Sequence, residues 1–507
     1  MASRNPPLPV SLPLCHQITL ARRSSTILSP SSIFDGLPLE IQAEIFSYCL
    51  PAFPQLGRLK NDPMPIARVC RTWRALAQST PKLWSSFEIV VKDSVAGTSG
   101  DIVGSPYASR LLNTAKLWLE RSRNHPLSIR LIHTPKARVP SQLSAGLLAI
   151  FIRQARRFHR IELNVPTVTM SAVHHLFPQY FPILVSLTLK TAHSSWQAAV
   201  SFDFQAMKFP WAQLTDLDLR LDHGHILNLD DYANILSGAI NLVACKINAG
   251  FVPKQTSMWP FEDHSPFLLP SLKTLHVAFQ GTNAVDTQVV PNPQQRFQTP
   301  EVALTSFLGL FSGCQLRELC LNWLVDGRGV EHWSPACNGA FEAFLKGQST
   351  SLRSLELTYL PLGEDHLKRC LEHLQIEQLR LCFSVADQAL DPITDETLKA
   401  LTLSSPLDRT RGSNNLASPA IHKVVRHLRR LHIQCTGVHC TDEVLLQMVD
   451  SWCPAKGLRG TPALTMEKFD FFSIMPVVDE DEIGSRSRRW QDAGLDVVIE
   501  SFANSLP

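Results

Sequence analysis

Groups that carry covalent or metal chemistry betray themselves by type and spacing. The chain has 507 residues and 12 cysteines. One stretch crowds metal-capable groups: "CTGVHC", residues 435–440, sets Cys435, His439 and Cys440 close together. A zinc site needs a fourth ligand and a different spacing, so buried or edge thiols are the competing reading. His174 and His175 stand in an apolar context, "SAVHHLFP", that suits capping or packing. The phosphate loop G-x-x-x-x-G-K-[ST] is absent, as are G-x-G-x-x-G, H-E-x-x-H and G-x-S-x-G. A nucleophilic cysteine needs an activating neighbour, and none of the cysteines announces one. The expectation is a chain with no catalytic residue, no metal and no cofactor.

Composition narrows the remaining classes. Lys+Arg is 48 and Asp+Glu 45, a net charge of +3. That balance argues against a surface built to neutralise nucleic-acid phosphates. Hydrophobic content of 44% and charged content of 18% are those of a globular chain. There is no C-x-x-C and no N-x-S/T acceptor, which fits reduced thiols and an intracellular place, cytoplasmic and/or nuclear. No apolar run approaches the ~20 residues that span a bilayer, so no membrane partner is expected. "GLLAIFI", residues 146–152, suits a core helix instead. Residues 1–34 lack acids but hold Arg4, Arg22 and Arg23, a composition faintly like a transit peptide. Prolines 6, 7, 9 and 13 break any helix there, so residues 1–33 read as a disordered arm.

What is left is surface, and the elements that present it. In "FDGLPLEIQAEIFSYCLP", Pro38 and Glu40 suit a first helical turn. Leu37, Ile41, Ile45 and Cys49 recur every four residues, and Leu39, Phe46 and Leu50 widen the stripe. Pro51 and Pro54 stop the helix. After a loop come Ile66, Val69, Cys70, Trp73, Leu76 and Ala77, spaced as one buried helical face, with Arg68, Arg71 and Arg74 off it. A small helical hairpin with a core tryptophan explains this much. So short a module has little interior to hide two wide stripes, so it must lean on the next domain or on another protein.

"LPLEIQAEIFSYCLP…ARVCRTWRALA" resembles an F-box. The order Leu-Pro, Glu, Ile-Phe, Val-Cys, Trp is supplied by Leu37, Pro38, Glu40, Ile45, Phe46, Val69, Cys70 and Trp73. The connecting segment "AFPQLGRLKNDPMP" is longer and richer in proline than the family's. "STPKLWSSFEI" and "LWLERSRNHPLSIRL" are similar to a fungal-type subgroup. The resemblance covers about fifty residues and implies binding of a Skp-family adaptor, and through it a cullin–RING ubiquitin ligase. It implies adaptor contact through Leu37, Pro38, Glu40, Ile41, Ile45, Phe46, Leu50, Val69, Cys70 and Trp73.

A second pattern repeats beyond it: apolar residues at i, i+3 and i+5. It fits Trp84-Phe87-Ile89, Phe158-Ile161-Leu163, Leu184-Leu187-Leu189, Leu214-Leu217-Leu219 and Leu272-Leu275-Val277. It fits Leu316-Leu319-Leu321, Leu352-Leu355-Leu357, Ile376-Leu379-Leu381 and Leu428-Leu431-Ile433. Weaker copies are Leu242-Cys245-Ile247 and Met466-Phe469-Phe471. The pattern is similar to leucine-rich repeats in a degenerate form, lacking the usual Asn or Cys after most strands. Each unit would give a short strand and a return segment, helical in "DDYANILSGA" and "EDHLKRCLEHL", and neighbours would share one core. An ordinary α/β domain with leucine-rich strands is the alternative. Residues 280–300 and 404–419 read as loop insertions. The tail pairs "DEDE" with "RSRRW", charge runs that suit a solvated surface or mutual pairing.

On each such strand, i+4 and i+6 point away from the core. That places Asp218, Arg220, Lys246, Asn248, His276, Asn322, Glu356, Arg380 and His432 on one polar face. The mixed signs suit an unknown target protein read by complementary contacts, although any solvated strand face carries polar residues. The expected architecture is α/β: a disordered arm (1–33), a helical F-box-like module (34–83), an irregular leucine-rich-repeat-like solenoid (84–475) and a tail or cap (476–507). The expected function is a non-catalytic substrate receptor of an SCF-type ligase. The alternatives are a repeat scaffold with no ligase link, and an enzyme whose site no motif reveals. Only Ser79-Thr80-Pro81 is read as linker between the helical module and the first unit of the array, which predicts a rigid joint.

Overall fold

A computed structural model describes residues 33–56, 63–91, 106–133, 142–176, 180–192, 208–221, 226–251, 255–256, 265–282, 296–297, 299–326, 332–383, 391–403, 426–453, 466–475 and 480–501. The expected arm, but for residue 33, and the expected loop at 404–419 lie outside the described residues, as do 283–295 and 298 of the loop at 280–300.

The first helix, α1 (Leu39–Tyr48), starts two residues after Leu37, because Pro38 is extended (φ −53°, ψ 145°) and serves as its N-cap. Pro38 therefore precedes the first turn instead of lying in it. The spacing predicted one helix over 66–77, but the structure has two, α2 (Met64–Val69) and α3 (Arg71–Ser79). Cys70 breaks them: it is fully extended (φ −152°, ψ 175°), and its Sγ accepts the Trp73 N–H at 3.4 Å. A side-chain acceptor one turn upstream satisfies an amide that a continuous helix would have bonded internally. Arg74 Nε closes the corner on the Ala67 carbonyl (2.9 Å). The module's interior is aromatic: Phe34, Phe46 and Trp73 lie within 4.8–5.6 Å of one another.

The remainder is one parallel sheet whose 13 strands run side by side in chain order. They are β1 (Ser86–Val91), β2 (Leu127–His133), β3 (Phe158–Pro166), β4 (Ser186–Ala192), β5 (Asp216–Arg220) and β6 (Ala244–Phe251). After a two-residue β7 (Gln255–Thr256) come β8 (Thr274–Thr282), a two-residue β9 (Arg296–Phe297) and β10 (Glu318–Asp326). The last five are β11 (Ser354–Thr358), β12 (Gln378–Cys382), β13 (Arg430–Cys435), β14 (Lys468–Ser473) and β15 (Asp496–Ser501). β7 and β9 pair only with each other.

Every predicted i, i+3, i+5 triplet falls on this sheet. Its i+3 and i+5 members are buried on one face, and its i member is buried just ahead of the strand, or in the case of Phe158 at its first residue. Between triplets the chain returns through helices such as α4 (Pro106–Arg121), α5 (Gln142–Ile152) and α6 (Thr167–Val173). Further along lie α7 (Leu229–Ser237), α8 (Pro300–Gly309), α9 (Pro335–Gly347), α10 (Glu364–Leu371) and α11 (Asp395–Ala400). Their starts are chemically marked: Asn228 and Asp231 form a capping box on α7, and Ser334 caps α9. One continuous hydrophobic cluster joins all units, from Phe46 to Leu495. No unit could bury its leucines alone.

Two strands lie outside the template, for one reason. Register equates Ile129 of β2 with Phe87, and Val497 of β15 with Phe469. Their leading position is then Pro126 and Gly494, where the other units carry a large apolar residue. β15 follows the helix Glu480–Asp492, so residues read as a tail or cap carry the sheet onward. Arg486 there pairs with Glu482 (2.7 Å) and with Asp450 (2.6 Å).

The joint between module and sheet is tight. Trp84 is fully buried, its Nε1–H donating to the Ala77 carbonyl (2.8 Å). Leu56 N–H donates to the Glu88 carbonyl (2.8 Å), and Glu88 N–H donates to Pro54 (2.9 Å). The segment after α1 thus lies on the free edge of β1 as an extra rung. Lys82 and Glu44 add an ion pair at 2.7 Å.

Candidate interaction surfaces

The helical module turns apolar side chains both ways. Phe46 is buried in the aromatic cluster, and Gln42 is buried with its amide donating to the Leu37 carbonyl (2.8 Å). On the other side of α1, Ile41, Ile45 and Tyr48 stay 49%, 37% and 82% exposed, and Leu39, at the start of the helix on the Phe46 side, is 56% exposed. Val69 at the end of α2 is 61% exposed, and Cys70 beside it is exposed. Of the other residues singled out from sequence, Pro38 and Glu40 are exposed, while Leu37, Leu50 and Trp73 are half-buried. Trp73 thus belongs to the interior, whereas Ile41, Ile45 and Val69 are turned to solvent. Tyr48 enlarges the side of α1 that carries Ile41 and Ile45. Tyr48 was detectable, standing three residues after Ile45 on the same side of a helix.

The sheet's polar face is organised in rows. Register aligns Glu88, Arg130, Glu162, Thr188, Asp218, Lys246 and His276 across neighbouring strands. The row continues through Cys320, Glu356, Arg380, His432 and Asp470. Opposite charges stand side by side at several points of the row, and most ion pairs run between strands. Arg130 bonds Glu162 (2.5 Å) and Glu88 (3.2 Å), its guanidinium 4.1 Å from the Phe53 ring centre. Lys190 meets Asp218 (2.9 Å), Arg380 meets Glu356 (3.6 Å), and Asp470 takes Lys468 (3.1 Å) and His432 (3.6 Å). Arg220 pairs with Asp218 on its own strand (2.8 Å). Burial opposes ionisation of Glu162, but Arg130 and Arg160 outweigh it and hold its pKa below the usual range. His276 bonds Glu318 (2.9 Å), yet burial, helped by Lys246, lowers its pKa. Burial, helped by Arg380, lowers that of His432.

Of the residues expected to touch a target, Asp218, Arg220, Lys246, His276, Glu356, Arg380 and His432 therefore share one face. Asn248 differs: its side chain is used within the fold, accepting the Leu221 N–H (2.8 Å) and donating to the Leu221 carbonyl. Asn322 has a buried Oδ1 without a hydrogen-bond partner among the described residues. A depression of about 330 Å3 opens among Glu318, Glu356, Arg380, His432, Lys468 and Asp470. Another, of about 440 Å3, lies at the joint, against Leu50, Pro54, Lys82, His125 and His159.

Among the described residues, no cluster of three or more His, Cys, Asp or Glu is placed to hold a metal ion. Cys435 and Cys440 hydrogen-bond to each other, which with burial pushes the Cys435 thiol well up. Burial likewise drives Cys245, Cys320 and Cys370 to about 12. No described helix is long and apolar enough to cross a membrane.

Against models of known families, residues 34–89 match the F-box-like family. No curated protein matches the chain.

Proposed function

We propose that this chain is a non-catalytic substrate-recognition subunit of an SCF-type cullin–RING ubiquitin ligase. The observation that carries the reading is the outer face of the helical module. Leu39, Ile41, Ile45, Tyr48 and Val69 are held in solvent within a segment that matches the F-box-like family. A cluster of large apolar side chains presented by short, packed helices marks a docking site. Its occupant would be a Skp-family adaptor, and through it a cullin. The in-order parallel sheet with helical returns supports a degenerate leucine-rich-repeat-like solenoid, whose polar face would hold a target protein. Rate enhancement would then come from proximity, by holding the target near the ubiquitin carrier. The place of action would be intracellular, cytoplasmic and/or nuclear.

A second reading has its own observation. Residues 54–56 close the free edge of β1, so the module also serves as an N-terminal cap, as in a scaffold with no ligase link. Pull-down with a Skp-family adaptor separates the two. Wild type should bind, and a Leu37→Ala/Pro38→Ala chain should bind less. Absent binding by folded wild type, or equal binding by both, overturns the receptor reading.

A further inference from the structure

The two ends of the sheet are finished differently. At β1 the chain covers its own edge with residues 54–56. At β15 the parallel register and the bond from Asp496 N–H to the Glu467 carbonyl (3.0 Å) orient the strand. Asp496, Val498 and Glu500 direct their backbone groups to β14. Val497 and Ile499 therefore direct theirs outward, away from the sheet. Their side chains pack on the helix side, so the strand is fixed, and among the described residues nothing pairs with its outer edge. An edge of this kind is a template for another extended chain.

Charge says which chain. Across the polar face, Glu88, Glu162, Asp218 and Glu356 each contact a cation one strand over. Asp496 and Glu500 are exposed, and neither has a cationic partner among the described residues. The lateral neighbour of Asp496, Lys468, is already held by Asp470 (3.1 Å). Cations facing these two carboxylates could be supplied by a strand added along this edge. A second copy does not supply them. Two-fold antiparallel pairing through Val497 and Ile499 would set Asp496 opposite Glu500 of the second copy, twice, and like charges facing across strands repel.

We infer that the β15 edge docks an extended segment of a partner protein, one carrying Lys or Arg at alternate positions, added as a further strand. The backbone of Val497 and Ile499 supplies the ladder, and Asp496 and Glu500 select the basic face.

The test uses the full-length chain and a fluorescent synthetic peptide of about seven alternating lysines and valines, long enough to span one strand. Anisotropy should report binding, and N-methylation of alternate peptide amides should weaken it roughly tenfold or more. Ile499→Pro removes an outward N–H without touching the ladder to β14, and should weaken binding similarly. Asp496→Lys/Glu500→Lys should lose the lysine peptide and gain its glutamate–valine counterpart. That exchange cannot arise from unfolding, and a thermal melt checks both variants. Equal binding by wild type, the Ile499→Pro chain and the charge-reversed chain would overturn the inference. So would sedimentation showing a dimer of wild type that Ile499→Pro dissolves, because the occupant would then be a second copy.

Discussion

Ile45 and Phe46 are chain neighbours with opposite duties. Phe46 is 2% exposed among Phe34 and Trp73, whereas Ile45 is 37% and Ile41 49% exposed on the outer side of α1. Full burial of an isoleucine side chain is worth about 1.5–3 kcal/mol. Docking can bury only what is still exposed, so Ile45 offers about 0.6–1.1 kcal/mol and Ile41 about 0.7–1.5. Truncating both to alanine should cost about 1–3 kcal/mol of binding, a Kd increase of roughly tenfold to a hundredfold. The fold should be nearly untouched. Phe46→Ala should instead cost about 3–5 kcal/mol of stability, and weaken binding only by loosening the module. Calorimetric titration of a Skp-family adaptor into each chain, beside a thermal melt, reads both quantities. An unchanged Kd for Ile41→Ala/Ile45→Ala would refute the assignment of this face. So would a melt lowered by that pair as much as by Phe46→Ala.

Three further outcomes follow from the packing. Trp84→Ala removes a fully buried indole, its bond to Ala77 and its edge contact with Trp118 at 5.2 Å, and should destabilise the joint by about 3–5 kcal/mol. Trp84→Phe should cost less, and chemical denaturation separates the two. His276 and His432 have pKa values lowered below their unfolded value of about 6.5, so the unfolded chain binds protons that the folded chain does not. Stability should therefore be full above that value and fall as pH drops through the folded pKa values; melts of a His276→Asn/His432→Asn chain should be flatter in that window. Arg130→Ala leaves Glu88 and Glu162 facing one another without their shared cation, and should cost about 1–3 kcal/mol at neutral pH. The pKa of Glu162 is depressed, so this difference should shrink as pH falls through the carboxylate range, which denaturation at two pH values would read.

The sheet was legible wherever a large apolar residue leads the triplet. β2 and β15 were not, because Pro126 and Gly494 fill that position and the rule depends on it. The break at Cys70 was invisible to periodicity, since Val69, Cys70 and Trp73 keep helical spacing while the backbone departs from it. One consequence is that Val69, read as face, became solvent-exposed. The outer side of α1 was readable only in part, because stripes on both sides of a helix do not say which is core. On the polar face, residue types and orientation were legible but the pairing was not. Glu88, Arg130 and Glu162 are separated by 42 and 32 residues, and only strand register brings them together.

The rung formed by residues 54–56 also sets how well the molecule can aim. Thirteen strands span twelve gaps of ~4.8 Å, so the far edge stands at most ~58 Å along the sheet from the joint. On a lever of that length, a wobble of about 5° at the joint would swing the far end by about 5 Å, a strand spacing. The backbone bonds of Leu56 and Glu88, the Lys82–Glu44 pair and the Trp84–Ala77 bond all resist that rotation. Loosening any of them would blur where the last strands point long before it unfolded anything.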